Sequence, residues 1–415
     1  MSEETVRTAS RPRLDQQDVR LRTTRGPAGV VSAAGRAIRE GRAGSVMVLL
    51  GLALIVVYFQ YRTGVFLRPA NLVNLTLQMA QMGVISIGIV GVLLLGEIDL
   101  SAGSVSGFTA CIMAVEAVRH GVPDLVAILL AIATGVALGL LHGLLITKAR
   151  VPAFIVTLAG FLSWQGVQLT ILGSIKTITL PDHSLAVRLV YGFVPPLWSY
   201  LVAGVAVLVY AALAVRTSRR RSAAGLTGTS PAGIAARAIG LAVALFAVAI
   251  VLNRARGLSY AVVLMVALVV VFDLIYRRSR YGRYIYAIGG DSQAALRAGI
   301  KVSAIRVSVF ATCSGLAALG GLIGAGRLYS AGAQSGGSDL LLDAIAAAVI
   351  GGTSLFGGRG SSWSALLGTL VIATITNGLL LLGLESNVQF TITGIVLLLA
   401  VLLDSLSRRR SPEGR

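Results

Sequence analysis

Apolar runs of about the 20 residues needed to cross a bilayer recur along this chain between arginine clusters, and no other feature narrows its folds so far. In lipid every backbone amide and carbonyl needs a partner within the protein, so such runs must become packed helices. The runs fall at 44–61, 75–95, 102–118, 125–147, 153–173, 197–215, 233–252, 258–276, 304–325, 340–355, 362–383 and 388–404. They predict an all-α fold: a polytopic membrane helical bundle of ten to twelve transmembrane helices. Hydrophobic residues make up 55% of the 415 and charged residues 13%, too apolar a balance for a soluble globule of this size. The run at 340–355 is short and ends in GGTSLFGG, which marks it as a candidate re-entrant half-helix.

Charge sets the expected orientation. The net charge of +19 comes from arginines that flank apolar runs, with only Lys148, Lys176 and Lys301 as lysines. That distribution is topological and gives no footing to a nucleic-acid partner. With the N-terminus inside, alternation puts Lys148 and Arg150, Arg216 with Arg219–Arg221, the 277–303 loop and Arg408–Arg410 all on the cytoplasmic face. Arg254 and Arg256 fall outside. Both termini are then cytoplasmic. The expected organisation is a disordered basic tail at 1–44, a transmembrane domain at 45–405 with cytoplasmic segments at 216–232 and 277–303, and a cytoplasmic tail at 406–415. No small-x-small cleavage site interrupts the first apolar run, so it is expected to be retained.

One polar, basic stretch interrupts the oil: YGRYIYAIGGDSQAALRAGIKV, 281–302. Asp291 or Ser292 can cap a two-turn helix there, and Gly299 can end it in the left-handed conformation. Read from its residues, the segment is equally a linker lying on anionic headgroups or a handle for another protein.

Two glycine-rich turns, GEIDLSAGS at 96–104 and GGTSLFGGRGSS at 351–362, link spans and fit corresponding points of a duplicated fold. Glu97 and Asp99 adjoin an apolar run, where a carboxylate needs water or a partner; they can cap the helix opening at Ser101 or stand on a translocation path. Gln78 with Gln81, Trp164 with Gln165 and Gln168, and Asn377 with Thr374 and Thr376 put amides and an indole inside spans. They serve either as interhelical hydrogen bonds or as contacts for a polar solute. Glycine patterns such as Gly135 and Gly139 read as close helix packing.

The motifs of an enzyme are missing. GxxxxGK followed by Ser or Thr does not occur, so no P-loop cradles nucleotide. His120, His142 and His183 have no metal spacing, and Cys111 and Cys313 sit inside apolar runs as small core residues.

The strings GRYIYAIGGDSQAALRAGI (282–300), AIAAAVIGGTSLFGGRGSSWSALLGTL (344–370), GEIDLSAGSV (96–105) and VPAFIVTLAG (151–160) together resemble the permease subunit of bacterial ABC importers for monosaccharides. The resemblance covers roughly 70–405 and implies that fold. In such importers the loop resembling Arg283, Gly289, Gly290, Asp291, Ala294, Ala295, Arg297 and Gly299 couples to the ATPase subunit. It also implies a cytoplasmic ABC ATPase that uses ATP-Mg, with no cofactor on this chain, an extracytoplasmic sugar-binding protein, a second permease copy as homodimer, membrane lipid and a monosaccharide substrate. A place in the bacterial cytoplasmic membrane follows. The translocation residues to test are Gln78, Gln81, Glu97, Asp99, Trp164, Gln165, Gln168 and Asn377. Extra length, with Arg216–Arg221, the insert LTGTSPAG and an additional hairpin at 233–276, looks most like the xylose branch. The competing class is an ion-coupled secondary transporter, which needs a mid-bilayer charge relay.

Overall fold

The computed structural model describes residues 44–226, 228–385, 387–395, Leu398 and Leu402. The tail expected at 406–415 and all but Gly44 of that expected at 1–44 lie outside the described residues, as does part of the run at 388–404, of which 388–395 is helical. Helices follow in the order α1 (Gly44–Thr63), α2 (Pro69–Leu94), α3 (Ala102–Ala114, running into a π turn at Val115–Arg119), α4 (Asp124–Lys148), α5 (Ala153–Leu172) and α6 (Leu185–Tyr191). Then come α7 (Pro196–Ala223), α8 (Pro231–Asn253), α9 (Tyr260–Arg278), α10 (Arg280–Gly290), α11 (Ser292–Arg297), α12 (Val302–Leu328), α13 (Ser338–Ile350) and α14 (Ser362–Leu381).

Local chemistry explains many of the starts. Proline opens α2, α7 and α8, where its missing N–H costs nothing. Ser184, Ser230, Ser259 and Ser279 cap α6, α8, α9 and α10, each hydroxyl accepting from an amide in the first turn.

The described residues divide into two compact units, Pro195–Gly257 in one and Gly44–Val194 with those from Leu258 onward in the other. In the larger one, α12 is central and packs on α4, α2 and α3, while α13 packs on α14. Gly135, Gly139 and Gly143 give α4 a face without side chains. A Cβ added at Gly143 would lie 2.7 Å from the Val307 Cα, and one at Gly139 would fall on the Phe310 carbonyl oxygen. Backbone contact of this kind replaces the hydrophobic force that lipid does not supply. Two short ladders tie the loops: β1 (Thr177–Thr179) pairs antiparallel with β4 (Ser330–Gly332), and β2 (Phe193–Val194) with β3 (Leu258–Ser259). Near the first ladder Arg119 donates to the Leu172 carbonyl at 2.9 Å, and the Tyr191 hydroxyl donates to the Arg327 carbonyl at 2.8 Å.

Among the described residues eight helices are long and apolar enough to cross a membrane, α2, α4, α5, α7, α8, α9, α12 and α14, as a polytopic helical bundle requires. The run at 340–355 becomes α13, of 13 residues, which at 1.5 Å per residue span about 20 Å of a hydrocarbon core near 30 Å, while the run at 102–118 is helical throughout, α3 continuing through its π turn to Arg119. Both are largely buried among other helices, so protein rather than lipid surrounds them and full span length is unnecessary. The segment at 216–232 is mostly helix: α7 runs on through Arg216–Arg221 to Ala223, so the connection to α8 is only 224–230. Within the larger unit α9 packs against α2.

Candidate functional site

At one end of the larger unit, α11 stands capped at both ends. Asp291 Oδ1 accepts from the amides of Gln293 (2.8 Å) and Ala294 (3.0 Å), and Gly299 follows at φ +80°. The Ala294 amide, then that of Gln293, holds the Asp291 carboxyl below its ordinary range. Ala295 is the buried residue of α11. Leu296 is 58% exposed, beside exposed Ala294 and Arg297.

The two glycine-rich turns meet directly behind this helix. The Gly358 amide donates to the Leu94 carbonyl at 3.0 Å, and the Tyr286 hydroxyl of α10 donates to the Gly360 carbonyl at 2.7 Å. A Cβ on Gly289 would strike the Leu94 carbonyl oxygen, and one on Gly357 would lie 2.6 Å from the Gly289 carbonyl oxygen and 2.9 Å from the Gly96 amide nitrogen. The end of α10 and both turns thus touch through bare backbone, where only glycine fits.

From this junction a polar chain runs into the bundle. Arg306, in the first turns of α12, pairs with Glu97 at 2.6 Å, while burial pushes the Glu97 carboxyl up and Arg306 pulls it back. Two residues on, Asp99 Oδ1 accepts from the Ser101 amide (2.8 Å) and hydroxyl (2.6 Å); Ser101 Oγ lies 3.2 Å from His142 Nδ1, and Trp164 Nε1 donates to His142 Nε2 at 3.0 Å. Indole can only donate, so Nε2 must be the bare nitrogen and Nδ1 must carry the hydrogen given to Ser101, whose own proton goes to Asp99. All four hydrogen bonds therefore have one direction, from Trp164 towards Asp99. Asp99, Ser101 and His142 are buried, and Phe108 stacks on Trp164.

Away from the junction, α2, α3, α12, α13 and α14 surround a cavity of about 410 Å³. Gln78 and Gln81 reach it from α2, Ser106 from α3, Arg327 from α12, Asp339 and Asp343 from α13, Thr376 from α14, and the 334–337 loop closes one wall. Among the described residues no ion pair joins Arg327 to either aspartate. No metal-binding group of three or more His, Cys, Asp or Glu occurs among the described residues.

The family model for the branched-chain amino acid transport system / permease component matches residues 71–401. The chain belongs to this permease family. Relatives agree in extent. The permease is 33% identical over 366 residues to the xylose transport system permease protein of Escherichia coli, covering 88% of this chain and 92% of that one. It is 35% identical over 355 residues to the ribose import permease protein of Bacillus subtilis, covering 86% and 91%. No solved structure matches it significantly. Family membership makes the permease a multi-pass transport subunit of the bacterial cytoplasmic membrane and not an enzyme.

Of the residues singled out from sequence, Gln78 and Gln81 face the cavity of the permease, and Thr376 joins them. Glu97, Asp99 and Trp164 belong to the chain between junction and bundle instead. Gln168 is buried and holds the loop beside the cavity, its Nε2 donating to the carbonyls of Gly332 (2.8 Å) and Ser335 (3.1 Å). Asn377 accepts from Asn71 at 2.9 Å, tying α14 to α2, and Gln165 is half-buried on α5 away from the cavity. On the segment singled out at 283–299, Arg283, Gly290, Asp291, Ala294, Arg297 and Gly299 are exposed, Gly289 is packed in the junction and Ala295 faces inward. Sequence reading missed His142, Arg306, Leu296, Arg327, Asp339 and Asp343. The two aspartates had a signal, because carboxylates four apart in SDLLLDAIAAAV share a helix face within an apolar run.

Proposed function

We propose that this permease imports a monosaccharide, xylose or another pentose or hexose, and is driven by a separate ATPase subunit that docks on α11. The observation carrying the solute reading is the composition of the cavity. Each hydroxyl of a sugar both donates and accepts, and Gln78, Gln81, Ser106 and Thr376 offer neutral groups of both kinds while Asp339 and Asp343 accept and Arg327 donates. The names of relatives that carry xylose and ribose agree with it.

The drive would enter at the exposed Ala294, Leu296 and Arg297 of α11. Closure of the ATPase on ATP-Mg would displace α11 and the glycine junction behind it, and the 96–101 turn would follow through Glu97–Arg306. The hydrogen bonds from Asp99 to Trp164 would then carry the shift to α5, where Gln168, one turn on, grips the loop at the cavity wall. In this reading the junction and both termini are cytoplasmic, a binding protein delivers sugar at the opposite end, and two copies flank the passage.

Uptake of labelled xylose and ribose into proteoliposomes holding the permease with its ATPase and binding protein tests the proposal. ATP inside should drive uptake that an uncoupler leaves intact, and Asp343→Asn should reduce it several-fold. Uptake that needs no ATP and collapses with uncoupler would favour the ion-coupled class.

A further inference from the structure

The turn at 351–361, which α10 touches through bare glycine, is the connection between α13 and α14. Those two helices meet backbone to backbone. A Cβ added at Gly351 would fall on the Ser364 carbonyl oxygen, and one at Gly368 on that of Ala347, so neither helix can slide or separate without opening the contact. A fit this close moves as a block. Away from the turn the block carries Asp339 and Asp343 of α13 and Thr376 of α14, all of which line the cavity.

Two kinds of contact join α10 to the turn. Gly357 and Gly358 lie against Gly289 and Gly290 through backbone alone, a Cβ on Gly358 standing 3.3 Å from the Gly290 Cα. Such contact resists being pressed together but hardly resists being drawn apart, because a gap of about 1 Å already forfeits up to half of the attraction. The bond from the Tyr286 hydroxyl to the Gly360 carbonyl is 2.7 Å long and directional, and it resists both. Tyr286 stands inside α10, one turn before the helix ends at Gly290, and Asp291 then caps α11, so the ring is fixed to the segment that bears α11. Gly360 is two residues ahead of α14 at φ +147°, where glycine lets the peptide turn its carbonyl to α10.

We propose that Tyr286 is a positioning residue for transport, its hydroxyl making the α13–α14 pair follow α10 in both directions, so that the cavity wall bearing Asp339, Asp343 and Thr376 moves whenever α11 does. The inference rests on the reading that an ATPase drives α11. It adds a second route into the bundle beside the one through Glu97 and Arg306.

Hydrogen exchange read by mass spectrometry, on the full-length chain with its ATPase and with or without ATP-Mg and vanadate, tests this without regard to which sugar is carried. In the parent, nucleotide should change exchange both at 292–298 and at 338–361. Tyr286→Phe removes one oxygen. It should keep the response at 292–298, ATPase co-purification and the unfolding temperature, and cut the response at 338–361 about five-fold, the population shift of one hydrogen bond. Tyr284→Phe makes the same change on the same helix at an exposed ring and should leave every reading as in the parent. A response at 338–361 that survives Tyr286→Phe, or falls equally in Tyr284→Phe, overturns the inference. Loss of both responses together, or an early unfolding, makes the hydroxyl a docking or folding group and overturns it as well. A parent that responds at 292–298 and not at 338–361 overturns this inference alone, whereas a parent silent at both overturns the ATPase reading with it.

Discussion

Replacing Arg306 by glutamine should destabilise the permease far more than replacing its partner Glu97, although each change breaks the same 2.6 Å ion pair. The asymmetry comes from burial. The Glu97 side chain is 12% exposed and that of Arg306 30%, so a widowed arginine can turn to water while a widowed glutamate cannot. Removing one partner of a fully buried pair costs about 3–5 kcal/mol, and the partial exposure here argues for the lower end. We expect about 3 kcal/mol for Arg306→Gln and about 1 kcal/mol for Glu97→Gln, with the double variant near 2 kcal/mol, below the sum. The pH dependence has a definite sign. Burial already raises the Glu97 pKa and Arg306 is the opposing influence, so its loss raises that pKa further. A carboxyl whose folded pKa lies above its unfolded value gives stability that is lost as pH rises through the folded pKa. The Arg306→Gln penalty should therefore grow towards alkaline pH and shrink in mild acid. Thermal unfolding of the purified chain in detergent, followed by intrinsic fluorescence across pH, measures all three variants. Equal costs for the two single changes, strict additivity, or a penalty that grows towards acid would refute the reasoning.

Leu296→Asp should abolish ATPase co-purification and uptake with unfolding unchanged, whereas Ala295→Glu should lower the unfolding temperature because Ala295 points inward. Trp164→Phe leaves His142 Nε2 a buried acceptor without a donor and should cost about 1–3 kcal/mol, a loss that largely disappears in a His142→Phe background. Gly139→Leu must displace α12 from contact with the Phe310 carbonyl and should cost about 3 kcal/mol or more, read as folded yield and unfolding temperature. Since the amides of Ala294 and Gln293 lower the Asp291 pKa, the support Asp291 gives α11 is present above its unfolded pKa and fades as pH falls through the folded value. Binding of the ATPase should weaken along that acid limb in the parent chain and be pH-independent there in Asp291→Asn.

The features legible in the sequence were those that a few neighbouring residues decide. Asp291 caps α11 and Gly299 ends it because both need only amides and a dihedral angle within three or four positions. The small face of Gly135 and Gly139 could be read because helical spacing puts those residues together whatever they pack against. Hydropathy counts apolar residues without knowing whether lipid or protein surrounds them, so the burial of α3 and α13 among neighbouring helices was not legible.

The run of apolar segments by itself determined that this chain is a helical membrane bundle, since backbone polar groups have no other solution in hydrocarbon. Tertiary structure alone decided which polar side chains became partners. His142 is 41 residues from Ser101 and 22 from Trp164, and Glu97 is 209 from Arg306, so no local spacing could pair them. Packing brought Gln78, Arg327 and Asp343 round one cavity and left Gln168 and Asn377 as ties between segments. A polar residue in a span must find a partner, but which one it finds depends on the helix beside it.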